Sequence, residues 1–350
     1  MSKDLNNNQE SSAVRNVPIS VLDLAPVNVG TTPAESFPKT LELAQHAEKL
    51  GFSRYWLAEH HNMTGIASSA TSLVIGYVAA GTKKIRVGSG GIMLPNHAPL
   101  VIAEQFGTLE SMYPGRIDLG LGRAPGSDQL AAQALRRGLG SNGQDFPQLL
   151  KELQGYFNST PQSARSVRAV PGEGLNIPIW LLGSSGFSAQ LAGTLGLPFA
   201  FASHFAPEYL LPALELYRSH FQPSAALDKP HVMVGINVIA AETGEEARRL
   251  VTSLQQQFLN LIRGNPGKLN PPVDNMDDLW APHERAALES KFSYSVAGNK
   301  AEVQDKLQAI LKETQADELI ATAQIFDHQA RLRSYEILAE AANLQPVKQD

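Results

Sequence analysis

Cysteine is absent from all 350 residues. That absence excludes disulfides, thiolate nucleophiles and cysteine metal sites together. No run of about 18 apolar residues occurs, so nothing reads as a membrane-spanning helix. Nor is there a basic run: 29 Lys and Arg stand against 34 Asp and Glu, a net charge of −5. Nucleic acid is therefore not the expected partner. The first 16 residues are polar and lack the hydrophobic segment of a secretory signal. They read as a disordered tail, and the cytoplasm is the default location. What remains has the composition of a globular protein, 43% hydrophobic and 18% charged.

From residue 19 onward, short apolar runs alternate with amphipathic segments. Strands are expected at 19–24, 54–60, 85–94, 116–122, 177–184, 198–203, 232–241 and 318–324. Helices are expected at 39–50, 68–81, 99–113, 145–157, 186–195, 207–220, 243–262, 299–314 and 328–342. Gly51 and Gly196 follow two of them as stop signals. Strict alternation of strand and helix implies parallel pairing with right-handed crossovers. Eight such units favour a closed (β/α)8 TIM barrel; an open doubly wound sheet is the other arrangement the alternation allows. Segments 123–144, 158–176 and 263–297 interrupt the pattern. The last, rich in Pro, Gly and Asn, reads as a long insertion or mobile lid late in the chain. No repeat or composition shift marks a second domain, so 17–345 reads as one unit.

Working residues of a parallel barrel project from the C-terminal ends of its strands. The most informative tip is that of RYWLAEHH, 54–61, where an apolar strand ends in Glu59, His60 and His61. Other polar tips are Asp23, Asn96, His97, Arg123, Ser203, His204, Gln324, Asp327 and His328. Adjacent strand residues point to opposite sides, so His60 and His61 are poorly placed to chelate one ion together. No metal is expected. His60 remains a candidate for proton transfer, with an ordinary imidazole pKa of about 6.5; a hydrogen-bonded histidine of the core is the plain alternative.

Three glycine-bearing segments add to this. In LLGSSGFSAQ, 181–190, a strand runs into Gly183, Ser184, Ser185 and Gly186, where a helix begins. Free N–H groups and the helix dipole favour an anion there, with Ser185 and Ser188 as further donors. A simple serine N-cap is the structural alternative. GLGRAPG, 120–126, imitates a dinucleotide fingerprint, but its last spacing is one residue too long and Pro125 occupies the turn. The next strand also ends in Gly-Ser-Ser rather than an acid, which argues against a nicotinamide site. Arg123 at that tip would instead complete a phosphate clamp, or else form a surface ion pair. In SGGIMLPNHAP, 89–99, Gly90 and Gly91 interrupt an apolar strand, which signals a bulge, a close approach by a ligand, or tight packing against a helix.

WLAEHHN, the run from GSGGIMLPNHAP to GLGRAPGSD, and GSSGFSAQLAGTLGLPFAFASHF resemble, in order and spacing, the bacterial luciferase-like flavin-dependent monooxygenases, over roughly residues 17–340. The single-component subgroup is the most similar. The resemblance implies a TIM barrel with a long insertion and places the family's active-site histidine at His60. It implies FMN-phosphate contacts at Arg123, Ser185 and Ser188, in the Gly183–Ser184 turn. It also implies a flavin ring over Gly90–Gly91, with a non-proline cis peptide at or beside that pair. The implied activity is a monooxygenase using reduced FMN, delivered by an NAD(P)H-dependent flavin reductase, and O2 on a small, partly apolar organic substrate. A homodimer through helices two and three is implied as well. One departure concerns the substrate pocket: Ser184 stands where the luciferases carry an acid, and the redox-active cysteine of some relatives is missing. A deazaflavin-dependent dehydrogenase and a flavin-binding protein without turnover are the alternatives.

Overall fold

The computed structural model describes residues 17–124, 129–136, 143–158 and 167–347. The expected tail, residues 1–16, and Pro125 of the turn after the fourth strand lie outside the described residues. Eight strands close a parallel barrel: β1 (Ile19–Asp23), β2 (Arg54–Leu57), β3 (Arg86–Met93), β4 (Ile117–Gly122), β5 (Ile179–Gly183), β6 (Phe199–Phe201), β7 (Val232–Ala240) and β9 (Glu318–Thr322). They neighbour one another in that order, and β9 returns to β1 through the register Ile19↔Leu319. The remaining strand, β8 (Ser295–Gly298), lies outside the barrel and pairs with the far end of β7 through Asn237↔Ser295. The closed barrel is thus what forms, and the open sheet does not.

The strands are apolar on both faces because both faces are covered. Inward-pointing Leu22, Trp56, Ala58, Trp180, Ala200, Met233 and Ile320 form a plug inside the barrel. The Trp56 and Trp180 rings meet edge-to-face there, 5.2 Å apart. Outward-pointing residues of the same strands pack against the helices to form the main core. Beneath the plug, Arg54 joins Asp118 (Nη1···Oδ2 2.7 Å) to Glu318 (Nε···Oε1 3.0 Å). That charged layer stands at the strand beginnings, away from the face where barrel chemistry occurs.

Helices follow the strands: α1 (Pro33–Leu50), α2 (Thr71–Gly81), α3 (Pro99–Met112), α4 (Gln129–Arg136), α5 (Phe146–Phe157), α6 (Gly186–Leu195), α7 (Leu210–His220), α8 (Gly244–Leu250), α9 (Thr252–Ile262), α10 (Pro282–Lys291), α11 (Lys300–Thr314) and α12 (His328–Ala341). Gly51 and Gly196 end α1 and α6 in left-handed conformation, φ 88° and 62°, as their positions predict. α1 begins six residues before the expected start. Pro33 opens it, the Glu35 carboxylate accepts the Thr32 N–H at 2.8 Å, and Pro38 is absorbed inside the helix.

The segment 263–297 differs most from expectation, because it contains α10 and β8. Its Met276 and Leu288 share a small core with Leu259 of α9. Arg263 grips Glu284 with two bonds of 2.7 and 2.8 Å. One side docks on the β1–α1 loop, where Val29 N–H donates to Leu269 and Leu269 N–H to Val27. On the other side, Phe292 of the segment meets the Phe258 ring of α9 at 5.1 Å, and Phe258 in turn stands 6.3 Å from Phe205 beyond β6.

Candidate active site

Strand alternation sorts the tip of β2 as expected. Trp56 and Ala58 face the barrel interior, and His60 continues that side. Glu59 and His61 turn outward, where Glu59 is almost wholly buried. Its Oε1 accepts from His61 Nε2 at 2.8 Å and from His97 Nε2 at 2.9 Å. Its Oε2 accepts the Met93 N–H at 3.0 Å. Burial alone would raise the Glu59 pKa, but bonds from His97, His61 and Met93 outweigh it and hold the group below its ordinary value. Glu59, His61 and His97 bring their ligand atoms within 4.8 Å of one another. Both imidazoles already spend their Nε2 atoms on the carboxylate, so the cluster works as a polar knot that ties the β2 tip to the β3–α3 connection. Sequence reasoning lists His97 among the tips but gives no sign that it meets Glu59.

At the end of β3 the Gly90–Gly91 peptide is cis, as the resemblance implies. The β3–β4 register shifts between Ser89 and Ile92, so β3 carries one extra residue. The bulge expected from the glycine pair is therefore present. A Cβ on Gly91 would lie 2.6 Å from the Gly120 carbonyl oxygen. One on Gly90 would lie 2.7 Å from a Leu22 methyl carbon and 3.2 Å from Trp56 Cβ. Neighbouring strand and plug thus require small residues here.

The residues expected to bind an anion lie at the start of α6. Ser185 is its N-cap in extended conformation, φ −148° and ψ 169°, and its hydroxyl makes no capping bond to its own helix. Arg123, just past β4, lays its guanidinium over the Phe187 ring at 4.3 Å. A cation is thereby held against the first turn of a ten-residue helix whose leading N–H groups have no intrahelical partner. Ser184 is exposed, whereas Ser188 is buried against Gly183. Of the two expected hydroxyl donors, Ser185 is therefore presented at the helix start and Ser188 is tucked behind it.

These groups fit a phosphate-bearing flavin: a fixed cation, an unspent serine hydroxyl and free backbone donors at one end, a glycine-lined wall at the other. The sequence profile of the luciferase-like monooxygenases matches residues 17–345. The chain belongs to this family. It is 57% identical over 323 residues to the luciferase-like monooxygenase of Escherichia coli K12, covering 92% of this chain and 96% of that one. It is also 57% identical over 336 residues to the uncharacterised protein YvbT of Bacillus subtilis, covering 96% and 98%. Among solved structures, apo-MsnO8 has a TM-score of 0.85 at 35% identity, covering 95% of this chain and all of that one. Two more distant structures share the fold alone. One is the FMN-bound oxygenating constituent of 3,6-diketocamphane monooxygenase, with TM-score 0.73 and 19% identity over 95% of this chain and 100% of that one. The other is an F420-dependent secondary alcohol dehydrogenase, with TM-score 0.67 and 17% identity over 93% and 99%. Family and fold make the chain a flavin-dependent monooxygenase.

In this luciferase-like monooxygenase, His60 is accompanied by a second imidazole. His204 extends from β6 over Gly235 of β7, whose Cβ would lie 2.5 Å from its Nδ1. Burial first, and then the charge of His60, push the His204 pKa down to about 4, so the ring is neutral at pH 7.

Proposed function

We propose that the chain oxidises a small, partly apolar organic substrate with O2, using reduced FMN as co-substrate. Arg123 stacked over the start of α6 is the observation that carries this reading. Arg123, Ser185 and the leading N–H groups of α6 would hold the phosphate, with Gly183 and Ser184 forming the turn beneath it and Ser188 supporting it from behind. Gly90 and Gly91 would give the ring room at the mouth. Bound there, the reduced flavin supplies the electrons that activate oxygen. His60 would hold or deliver a proton at its imidazole, and the apolar plug below would limit water. Free reduced FMN would come from an NAD(P)H-dependent reductase in the cytoplasm. The chain would work as a homodimer.

Anaerobic titration with reduced FMN tests this. Wild type is expected to bind it in preference to reduced F420, and to reoxidise it more slowly than free solution does once oxygen is admitted. Arg123→Ala removes a charge-assisted contact worth about 1.5–3 kcal/mol, roughly a 10- to 100-fold loss of FMN affinity. His60→Ala should bind FMN almost as wild type yet lose the slow reoxidation. Preference for F420 would move the deazaflavin reading ahead; binding with reoxidation at the free rate would favour a flavin store.

A further inference from the structure

The barrel mouth holds two buried polar atoms that the flavin site does not use. Gln324 lies beyond β9 and shares the inward face with Ile320 and Thr322, and its Nε2 leans on Thr322 Oγ1 at 3.4 Å. Its Oε1 is buried without a hydrogen-bond partner, and so is Nδ1 of His204. β7 alone separates β6 from β9, which puts the two strands roughly 10 Å apart. Buried polar atoms are nearly always satisfied, and one left unpaired costs about 1–3 kcal/mol. Two such atoms above an apolar plug call for a partner, a bound water or a ligand group, that supplies the missing bonds. At the same level, Asp23 and Glu59 turn outward into bonds with Arg331 and with His61 and His97. Burial keeps His204 neutral. Neither of these carboxylates nor His204 therefore puts a charge into the mouth.

We propose that His204 and Gln324 are a substrate-recognition pair, selecting an otherwise apolar molecule by an uncharged group that both donates and accepts hydrogen bonds, a hydroxyl or an amide. Oε1 of Gln324 takes the donated hydrogen, and the neutral imidazole takes the complementary bond at Nδ1. This rests on the monooxygenase reading for its purpose, though the binding itself does not need flavin.

Hexanamide and 2-heptanone, nearly equal in size, differ by the N–H donor and serve as probes. Titrated into the flavin-free chain labelled at histidine, hexanamide is expected to move the His204 resonances in NMR. It is also expected to bind about tenfold more tightly than the ketone, the equivalent of one hydrogen bond. Gln324→Met, similar in length but without the acceptor, should erase that preference, and His204→Phe should weaken it. Equal affinity for the two probes, or a preference that survives Gln324→Met, overturns the proposal. Reduced FMN is titrated in parallel. Both variants should keep its affinity within about threefold, and a loss as large as that of Arg123→Ala would mean that these atoms face cofactor instead. If wild type fails to bind FMN yet still prefers hexanamide, the cofactor reading fails and the recognition pair stands. Should His204→Phe not fold, Gln324→Met decides alone.

Discussion

Glu59 is a carboxylate placed where only acceptors are wanted. Two imidazoles, a backbone N–H and the Asn96 amide, 3.3 Å away, all donate to it. An amide at this position would turn one acceptor into a donor facing other donors. Glu59→Gln is accordingly expected to lose on the order of 2 kcal/mol of stability at pH 7. The pH dependence has a definite sign. The folded-state pKa lies below the unfolded value, near 4.3, so the unfolded chain binds more protons as the pH falls through that region. The stabilisation is complete above the ordinary carboxylate range and drains away as the pH drops toward the lowered value. Urea midpoints of wild type and variant should therefore converge between pH 7 and pH 3. A gap that stayed constant over that range would show that the charge on Glu59 does not matter.

At the scale of elements, the two glycines of β3 carry different burdens. A methyl on Gly90 meets the end of the Leu22 side chain, which can rotate away, and presses on Trp56 Cβ at 3.2 Å, which must give by a little. A methyl on Gly91 meets the backbone of β4, which cannot move without opening the barrel. Gly91→Ala is expected to cost about 3 kcal/mol or more, and Gly90→Ala about 1–2 kcal/mol. Thermal unfolding of the two variants side by side checks the order, and a Gly90→Ala variant as damaged as Gly91→Ala would contradict it. The same elements show what was legible. All eight barrel strands could be read because a strand buried on both faces is a short apolar run in any context. Gly51 and Gly196 marked helix ends because left-handed backbone asks for glycine. β8 and α10 could not be read: β8 is four residues long and exists by pairing with the far end of β7, and α10 depends on a small core shared with α9. Arg123 and Ser185 could be placed at strand tips because one follows β4 directly and the other stands two residues beyond β5. The bond from Glu59 to His97 spans 38 residues and appears only once β2 and β3 lie side by side.

The outer wall of the molecule poses a question that neither residue nor element answers alone. α2 has no charged residue, and its Leu73 and Tyr77, one turn apart, are 75% and 43% exposed. On α3, Val101 and Met112 are 43% and 58% exposed, three turns apart on one side of the helix. α2 and α3 pack together, so these exposed apolar side chains stand on neighbouring helices of one wall, and a patch of that kind marks an interface. Two-fold symmetry is the commonest way to cover such a patch, because each subunit then presents it to the other. Symmetry also doubles the effect of a substitution. Leu73→Lys replaces two buried leucines per dimer, each worth about 1.5–3 kcal/mol, and should weaken association by a hundredfold or more. Sedimentation at micromolar concentration is expected to give twice the chain mass of 37.8 kDa for wild type and the single mass for Leu73→Lys, with FMN binding unchanged because these side chains lie on the outer helices and the proposed flavin site at the barrel mouth. A wild-type monomer would leave the patch without a two-fold partner and end the homodimer reading; a dimer that survives Leu73→Lys would move the interface to another wall.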